Sequence, residues 1–258
     1  MPDLQTLLML ATFGFLGAFI NAIVGGGGLI TVPALLAAGL PPAMAIGTNK
    51  MAAAVGNLTS LLTFMRAGKV DWRLLLPVLP VVFAGSVTGA LSVHQLSPEV
   101  LQPLVIVLLM AVLLYSLVKK DLGQLQKAMP VSVRRKKAGY ALLVCIGFYD
   151  GFFGPGAGSF MILVLLFVGM DFVRAAGSSK LLNLTSNTAA LLTFSWLGSI
   201  DYAYGTVMAL AMIVGAYVGS RLALSRGTGF VRILFIGVTS VLILKNLHDL
   251  LIGRVLAG

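Results

Sequence analysis

The stretch LQTLLMLATFGFLGAFINAIVGGGGLITVPALLAAGLPPAMAIGTN, residues Leu4 to Asn49, holds 46 consecutive residues without a formal charge. One crossing of a lipid bilayer requires only about 20 apolar residues. Further charge-free runs follow at Leu74 to Val93, Val100 to Val118 and Ala203 to Ser220. These lengths predict an all-α integral membrane protein with many membrane-embedded segments.

The composition excludes an ordinary soluble domain. Hydrophobic residues make up 59% of the chain and charged residues 10%, whereas soluble domains carry about 25% charged residues. The net charge of +10 does not indicate a nucleic-acid partner, because such binding needs a basic stripe on a solvated face. Here the positive residues lie in connecting loops, which is typical of the positive-inside rule.

The chain matches itself when it is shifted by about 130 residues. At an offset of 130 the identical pairs include Lys50 with Lys180, Asn57 with Asn187, Thr63 with Thr193, Phe64 with Phe194, Asp71 with Asp201, Gly85 with Gly215 and Gly89 with Gly219. At an offset of 129, Asn21 aligns with Asp150 and Gly25 with Gly154. This self-similarity predicts a first membrane repeat at 1–118 and a second at 138–258, joined by a linker at 119–137.

Each half divides into five apolar segments. Their predicted bounds are 5–24, 29–39, 43–66, 73–93 and 99–118 in the first half, and 138–153, 158–170, 173–196, 203–224 and 230–252 in the second. The second segment of each half has only 11 to 13 residues. That length suits a broken or re-entrant helix better than a full crossing.

The charges of equivalent loops predict that the two repeats have inverted topology. Loop 66–73 carries three positive residues and its counterpart 196–203 carries none. Conversely, loop 92–99 has no lysine or arginine, whereas its counterpart 221–229 has two arginines. A parallel repeat would place equivalent loops on one side of the membrane, and an inverted repeat places them on opposite sides.

The linker fixes the predicted orientation in a bacterial inner membrane. Residues 119–137 include seven lysines and arginines, the most basic stretch of the chain. The positive-inside rule therefore places this linker in the cytoplasm. Because five segments per half is an odd number, both termini of this multi-pass protein are predicted to be periplasmic.

Two glycine-rich breaks interrupt the apolar segments at equivalent places: GGGGLITVP (Gly25 to Pro33) and GPGAGSF (Gly154 to Phe160). A broken helix at membrane depth is tolerated only against protein or a water-filled cavity. Paired breaks in two halves indicate a transporter's binding site, where helix amides attract an anion. The alternative is that the glycines allow close helix packing.

Two lysines within apolar sequence have equivalent polar surroundings. Thr48-Asn49-Lys50 matches Ser178-Ser179-Lys180, and a lysine inside the bilayer costs at least about 2.5 kcal/mol. One interpretation is a pair of cations that bind one anionic substrate. The other is that both lysines snorkel to the interface. Spacings of three, four and seven residues put further polar side chains on the same helical faces, namely Asn57, Ser60, Asn183 and Asn187.

Asp150 is the only acidic residue deep within an apolar segment. A carboxylate in such a place is a functional candidate. Two roles are open: it carries a coupling proton, or it forms a salt bridge with a lysine such as Lys180.

The candidate substrate-binding residues belong to the glycine breaks, the lysine motifs and the polar faces that continue from them. They are Asn21, Gly25, Gly26, Gly27, Gly28, Thr48, Asn49, Lys50, Asn57, Gly154, Pro155, Gly156, Ser178, Ser179, Lys180, Asn183 and Asn187, with Asp150 as the candidate for ion coupling. No catalytic constellation, metal-ligand spacing or cofactor motif accompanies them.

Four motifs together resemble the TauE/SafE family of sulfite exporters: NAIVGGGGLITVPALLAAG (21–39), IGTNK (46–50), GFYDGFFGPGAGSF (147–160) and SSKLLNLTSN (178–187). The resemblance covers essentially the whole chain. It implies transport of small sulfur-containing anions such as sulfite or sulfonates, driven by a gradient of H+ or Na+. The family is often described with seven or eight spans, which agrees with ten segments only if the short ones are re-entrant.

The sequence therefore predicts a secondary transporter that works by alternating access, with membrane lipid around it and a small anion as its substrate. The alternative function is a channel for small inorganic anions, which needs a continuous pore. A membrane enzyme would need a catalytic constellation.

Overall fold

The structure, a computed structural model, describes residues 3–97, 99–101, 104, 107–108 and 132–226. Within these ranges the regular secondary structure is helical. In chain order the bounded helices are α1 (Leu4–Val24), α2 (Gly28–Ala37), α3 (Pro42–Arg66), α4 (Trp72–Leu75), α5 (Leu79–His94), α6 (Val133–Phe152), α7 (Ala157–Phe167), α8 (Phe172–Trp196) and α9 (Tyr202–Arg226).

Six of these helices begin and end within three residues of the predicted bounds: α1, α2, α3, α7, α8 and α9. The predicted segment 230–252 lies outside the described residues. So do most of segment 99–118 and most of the linker 119–137.

The predicted segment 73–93 is a four-residue helix followed by a 16-residue helix. Pro77 and Pro80 explain the interruption, because proline lacks an amide hydrogen and its ring clashes with the carbonyl four residues earlier. Asp71 caps the short helix and accepts a hydrogen bond from the amide of Leu74 at 3.3 Å. The matching segment of the second half has no proline, and α9 continues without a break.

Helix α6 begins at Val133, five residues before its predicted start. The Ser132 hydroxyl accepts a hydrogen bond from the Arg135 amide, which caps the helix. Lysine and arginine are also good helix formers. The last basic residues of the linker, 134–137, therefore form the first turns of α6.

Many large apolar side chains are exposed, whereas three charged side chains are buried within the fold. Trp196 is 81% exposed and Leu210 is 62% exposed, whereas Lys50 and Lys180 are fully buried. Soluble proteins almost never bury a lysine completely, so this distribution is typical of a protein surrounded by lipid. Among the described helices, α1 and α9 have both the length and the mean hydropathy, 2.2 and 1.8, to cross a bilayer.

Helices α3 and α8 form an antiparallel pair at the centre. Near the start of α3, a Cβ on Gly47 would lie 3.0 Å from the Cβ of Phe194 near the end of α8. Near the start of α8, a Cβ on Gly177 would lie 2.9 Å from Cδ1 of Phe64 near the end of α3. These two contacts are related by the offset of 130. The loops that follow α3 and α8 therefore lie at opposite ends of the pair.

Helices at the periphery pack on the other half of the chain. Gly89 of α5 contacts the backbone of Phe148 in α6, and Gly219 of α9 contacts the backbone of Phe19 in α1. The two contacts are again related by the sequence offset.

Candidate functional site

The two glycine breaks lie against each other. Gly25 ends α1 with a φ of +83°, and a Cβ on Gly158 of α7 would come within 2.7 Å of the Gly25 Cα. The Ser159 hydroxyl crosses the same contact and donates a hydrogen bond to the Val24 carbonyl at 2.6 Å. The glycine break of the first half therefore packs directly on the glycine break of the second half.

A cavity lies beside these breaks, lined by residues of α1, α2, α3, α6, the start of α7, α8 and one residue of α9. Its volume is about 40 Å³. That is room for roughly three waters. The predicted site residues that line it are Asn21, Gly25, Gly27, Gly28, Asn49, Lys50, Asn57, Asp150, Gly154, Asn183 and Asn187.

Lys50 and Asp150 form a buried ion pair on the wall of this cavity. The Lys50 Nζ lies 2.7 Å from the Asp150 Oδ1, and the two side chains are 1% and 3% exposed. The same ammonium donates a hydrogen bond to the backbone carbonyl of Asp150. The partner of Asp150 is thus Lys50 and not Lys180, the lysine that the sequence analysis named.

Lys180 is also fully buried, and its Nζ donates a hydrogen bond to the backbone carbonyl of Asn21. Because Asn21 aligns with Asp150, the two lysines make equivalent contacts with the backbone of equivalent residues. The hypothesis that both lysines snorkel to the interface is therefore wrong. Lys180 does not line the cavity, and of these two lysines only Lys50 has a carboxylate partner among the described residues.

Several polar side chains of the cavity bond to one another. Asn21 donates from Nδ2 to Oδ1 of Asn57 at 3.0 Å. Asn187 donates from Nδ2 to the backbone carbonyl of Asn183 at 2.7 Å. The Nδ2 of Asn183 and the Oδ2 of Asp150 are buried and have no hydrogen-bond partner among the residues that the structure describes. One donor and one acceptor are thus left unpaired at the cavity.

Thr31 was not among the predicted site residues. Its hydroxyl donates to the Asn49 Oδ1 at 2.6 Å, and both residues line the cavity. The signal for it was its position one helical turn after Gly27, on the same face of α2.

Three predicted substrate donors have other partners. The Thr48 hydroxyl accepts a hydrogen bond from the Asp201 amide at 2.9 Å, and the Ser178 hydroxyl accepts one from the Asp71 amide at 3.0 Å. The Ser179 hydroxyl donates to a carbonyl of its own helix. These side chains hold loops and helix turns, and they do not line the cavity. Three break residues also lie outside the lining: Gly26, Pro155 and Gly156.

The start of α2 supplies backbone donors. Gly27 and Gly28 line the cavity, no side chain caps the helix, and neither amide has an acceptor within the described residues. Free amides at a helix start attract the oxygens of an anion. A metal site is not indicated, since no group of three or more His, Cys, Asp or Glu side chains converges in the part of the chain that the structure describes.

A cavity with a buried charged pair on its wall, set among helices that expose apolar side chains, is the arrangement of a membrane transporter. The chain belongs to the sulfite exporter TauE/SafE family, whose model matches residues 10–246. The resemblance carried by the four motifs is thereby confirmed.

Similar proteins are named as membrane transporters. The probable membrane transporter protein YfcA of Escherichia coli (strain K12) is 39% identical over 239 residues, which cover 91% of this chain and 87% of that protein. A probable membrane transporter protein of Haemophilus influenzae is 37% identical over 249 residues, with coverage of 95% and 96%. Membership of this family makes the chain a transporter and not an enzyme. No solved structure matches it.

Proposed function

We propose that the chain is a secondary transporter that moves small sulfur-containing anions, such as sulfite or sulfonates, across the bacterial inner membrane. The observation that carries the proposal is the set of donors at the cavity. Lys50, Gly27, Gly28 and Asn183 all line it. They carry an ammonium, two backbone amides and a buried Nδ2, and the amides and the Nδ2 have no acceptor among the described residues. Charge-assisted hydrogen bonds from such donors suit a compact oxyanion. The family name, sulfite exporter, supplies the substrate class.

The mechanism we propose is alternating access by two inverted halves. The antiparallel packing of α3 and α8 and the reciprocal contacts at the periphery support this arrangement. In such folds one half rocks against the other around a site near the midplane. The small volume of the cavity supports a carrier over the alternative anion channel, which needs a continuous pore.

The proposed orientation places the linker 119–137 in the cytoplasm and both termini in the periplasm. Arg66, at the end of α3, and Arg221, in α9, line one surface cavity. Their loops thus lie on one side, which is what the positive-inside rule requires of them.

Labelling of single cysteines tests the inversion. Gly68 and Gly198 hold positive φ angles, so their neighbours are better sites, and we choose Ala67→Cys and Ser199→Cys in a Cys145→Ser background. In right-side-out vesicles a membrane-impermeant maleimide is expected to label position 199, and position 67 only after the membrane is permeabilised. Labelling of both positions from the same side would contradict the inverted arrangement.

Uptake into proteoliposomes tests the function. Labelled sulfite, sulfoacetate and sulfate are presented to vesicles that contain the full chain, with protein-free liposomes as the background. We expect saturable uptake of at least one sulfur anion and its inhibition by the same unlabelled anion. Absence of uptake and exchange for all three anions would refute the proposed substrate class, and non-saturating currents would favour the channel.

A further inference from the structure

We propose that Asp150 is the proton-binding site of the transporter, and that a proton on its carboxylate releases Lys50 to bind the anion. This inference rests on the proposed function and names its coupling ion. In the structure, the Asp150 carboxylate is the counter-anion of Lys50. When a proton binds this carboxylate, the substrate anion replaces it as the partner of the Lys50 ammonium.

The geometry leaves one position for the proton. The Oδ1 and the backbone carbonyl of Asp150 both contact the Lys50 ammonium. The Oδ2 is buried, has no hydrogen-bond partner in the described part of the chain, and belongs to a residue that lines the cavity. A buried oxygen without a partner is unfavourable, and a proton turns it into a hydroxyl that can donate to a bound anion.

The surrounding charges favour a proton over Na+. Among the described residues, the buried charged side chains are Lys50, Asp150 and Lys180. The neighbouring Tyr149 donates its hydroxyl to the Pro155 carbonyl at 2.6 Å. The ammonium of Lys50 already holds the place next to Oδ1 and the carbonyl where a metal cation would bind. A sodium ion there would face a like charge at close range, whereas a proton removes the negative charge.

The charges balance in both states of the cycle. In the empty site the ammonium and the carboxylate cancel. In the loaded site a proton from water forms an O–H bond at Oδ2, and the anion replaces the carboxylate as the partner of Lys50. The sum is again zero for a monovalent anion, so one H+ accompanies each anion in the same direction. Neither state leaves a net charge on the Lys50–Asp150 pair and its substrate, where it would be costly.

The test compares wild type, Asp150→Asn and the control Glu99→Gln, an exposed acid outside the cavity, in proteoliposomes with labelled sulfite. Sulfite exchange is measured without a gradient, and net uptake is measured with an inward pH gradient in choline buffer without sodium. Changes in sulfite protonation affect all variants alike, and protein-free liposomes correct for leakage.

We expect the pH gradient to raise net uptake at least fivefold in wild type and Glu99→Gln and less than 1.5-fold in Asp150→Asn. Exchange by Asp150→Asn should be detectable above protein-free liposomes, so that stimulation by the pH gradient is compared within each variant and not between their basal rates. Equal stimulation of Asp150→Asn, or a requirement for sodium, would overturn the proton site. Absence of exchange in wild type would instead refute the proposed function.

A second variant covers the case in which Asp150→Asn does not fold. Asp150→Glu keeps a titratable carboxyl and moves it by one methylene group. We expect it to retain stimulation by the pH gradient, with the midpoint of its rate-against-pH curve displaced from that of wild type. A curve that superimposes on the wild-type curve would overturn the role of this carboxyl.

Discussion

Lys50→Met is expected to abolish saturable anion uptake and to destabilise the protein. Removal of the ammonium leaves the Asp150 carboxylate buried without its partner, and breaking a buried ion pair from one side costs about 3–5 kcal/mol. The same change removes the positive charge from the cavity wall. Thermal unfolding in detergent and uptake into proteoliposomes measure the two effects.

A double variant separates stability from function. Lys50→Met combined with Asp150→Asn removes both charges, and replacing both partners of a buried pair is often nearly neutral. The double variant should thus recover much of the lost stability but remain without uptake. Lys136→Met removes an exposed lysine and serves as the control. Wild-type stability and uptake in Lys50→Met would contradict both the ion pair and the site.

The sequence did not predict which lysine pairs with Asp150. Internal duplication identified Lys50 and Lys180 as equivalent and Asn21 as the counterpart of Asp150. Spacing along a helix determines which residues share a face, but not which helix of the other half this face meets. The reciprocal packing of the two halves makes that choice, and it brings Lys50 to Asp150 and Lys180 to the backbone of Asn21.

The hydroxyls of Thr48 and Ser178 show a second limit. Each stands beside an asparagine or serine and a lysine, a pattern that equally serves a substrate or a loop. Their partners are amides more than 100 residues away in sequence, and no local signal identifies such a pairing. The glycine breaks were easier to interpret, because paired Gly-rich interruptions at corresponding positions of two halves predict a shared site, and Gly25 does lie against Gly158.

The second large effect is expected at the contact between the two breaks. Gly25→Ala meets two obstacles: the backbone has a φ of +83°, and a Cβ there would overlap the backbone of Gly158. A left-handed conformation costs a non-glycine residue about 1–2 kcal/mol, and overpacking adds about 1–3 kcal/mol. We therefore expect Gly25→Ala to lower the free energy of unfolding by about 2–5 kcal/mol and to abolish sulfite uptake.

Gly39→Ala is the matched control, since it isolates the cost of the backbone conformation. Gly39 has a similar φ of +87°, but a Cβ there would have no atom within 4 Å. The Gly39→Ala variant should lose about 1–2 kcal/mol of its free energy of unfolding, the cost of the left-handed backbone conformation alone. Its sulfite uptake should be unchanged. If the two variants unfold at the same temperature, the strain alone explains Gly25. A larger loss in Gly25→Ala means that the close contact between the breaks of the two halves stabilises the fold, and loss of uptake in that variant alone ties this contact to transport.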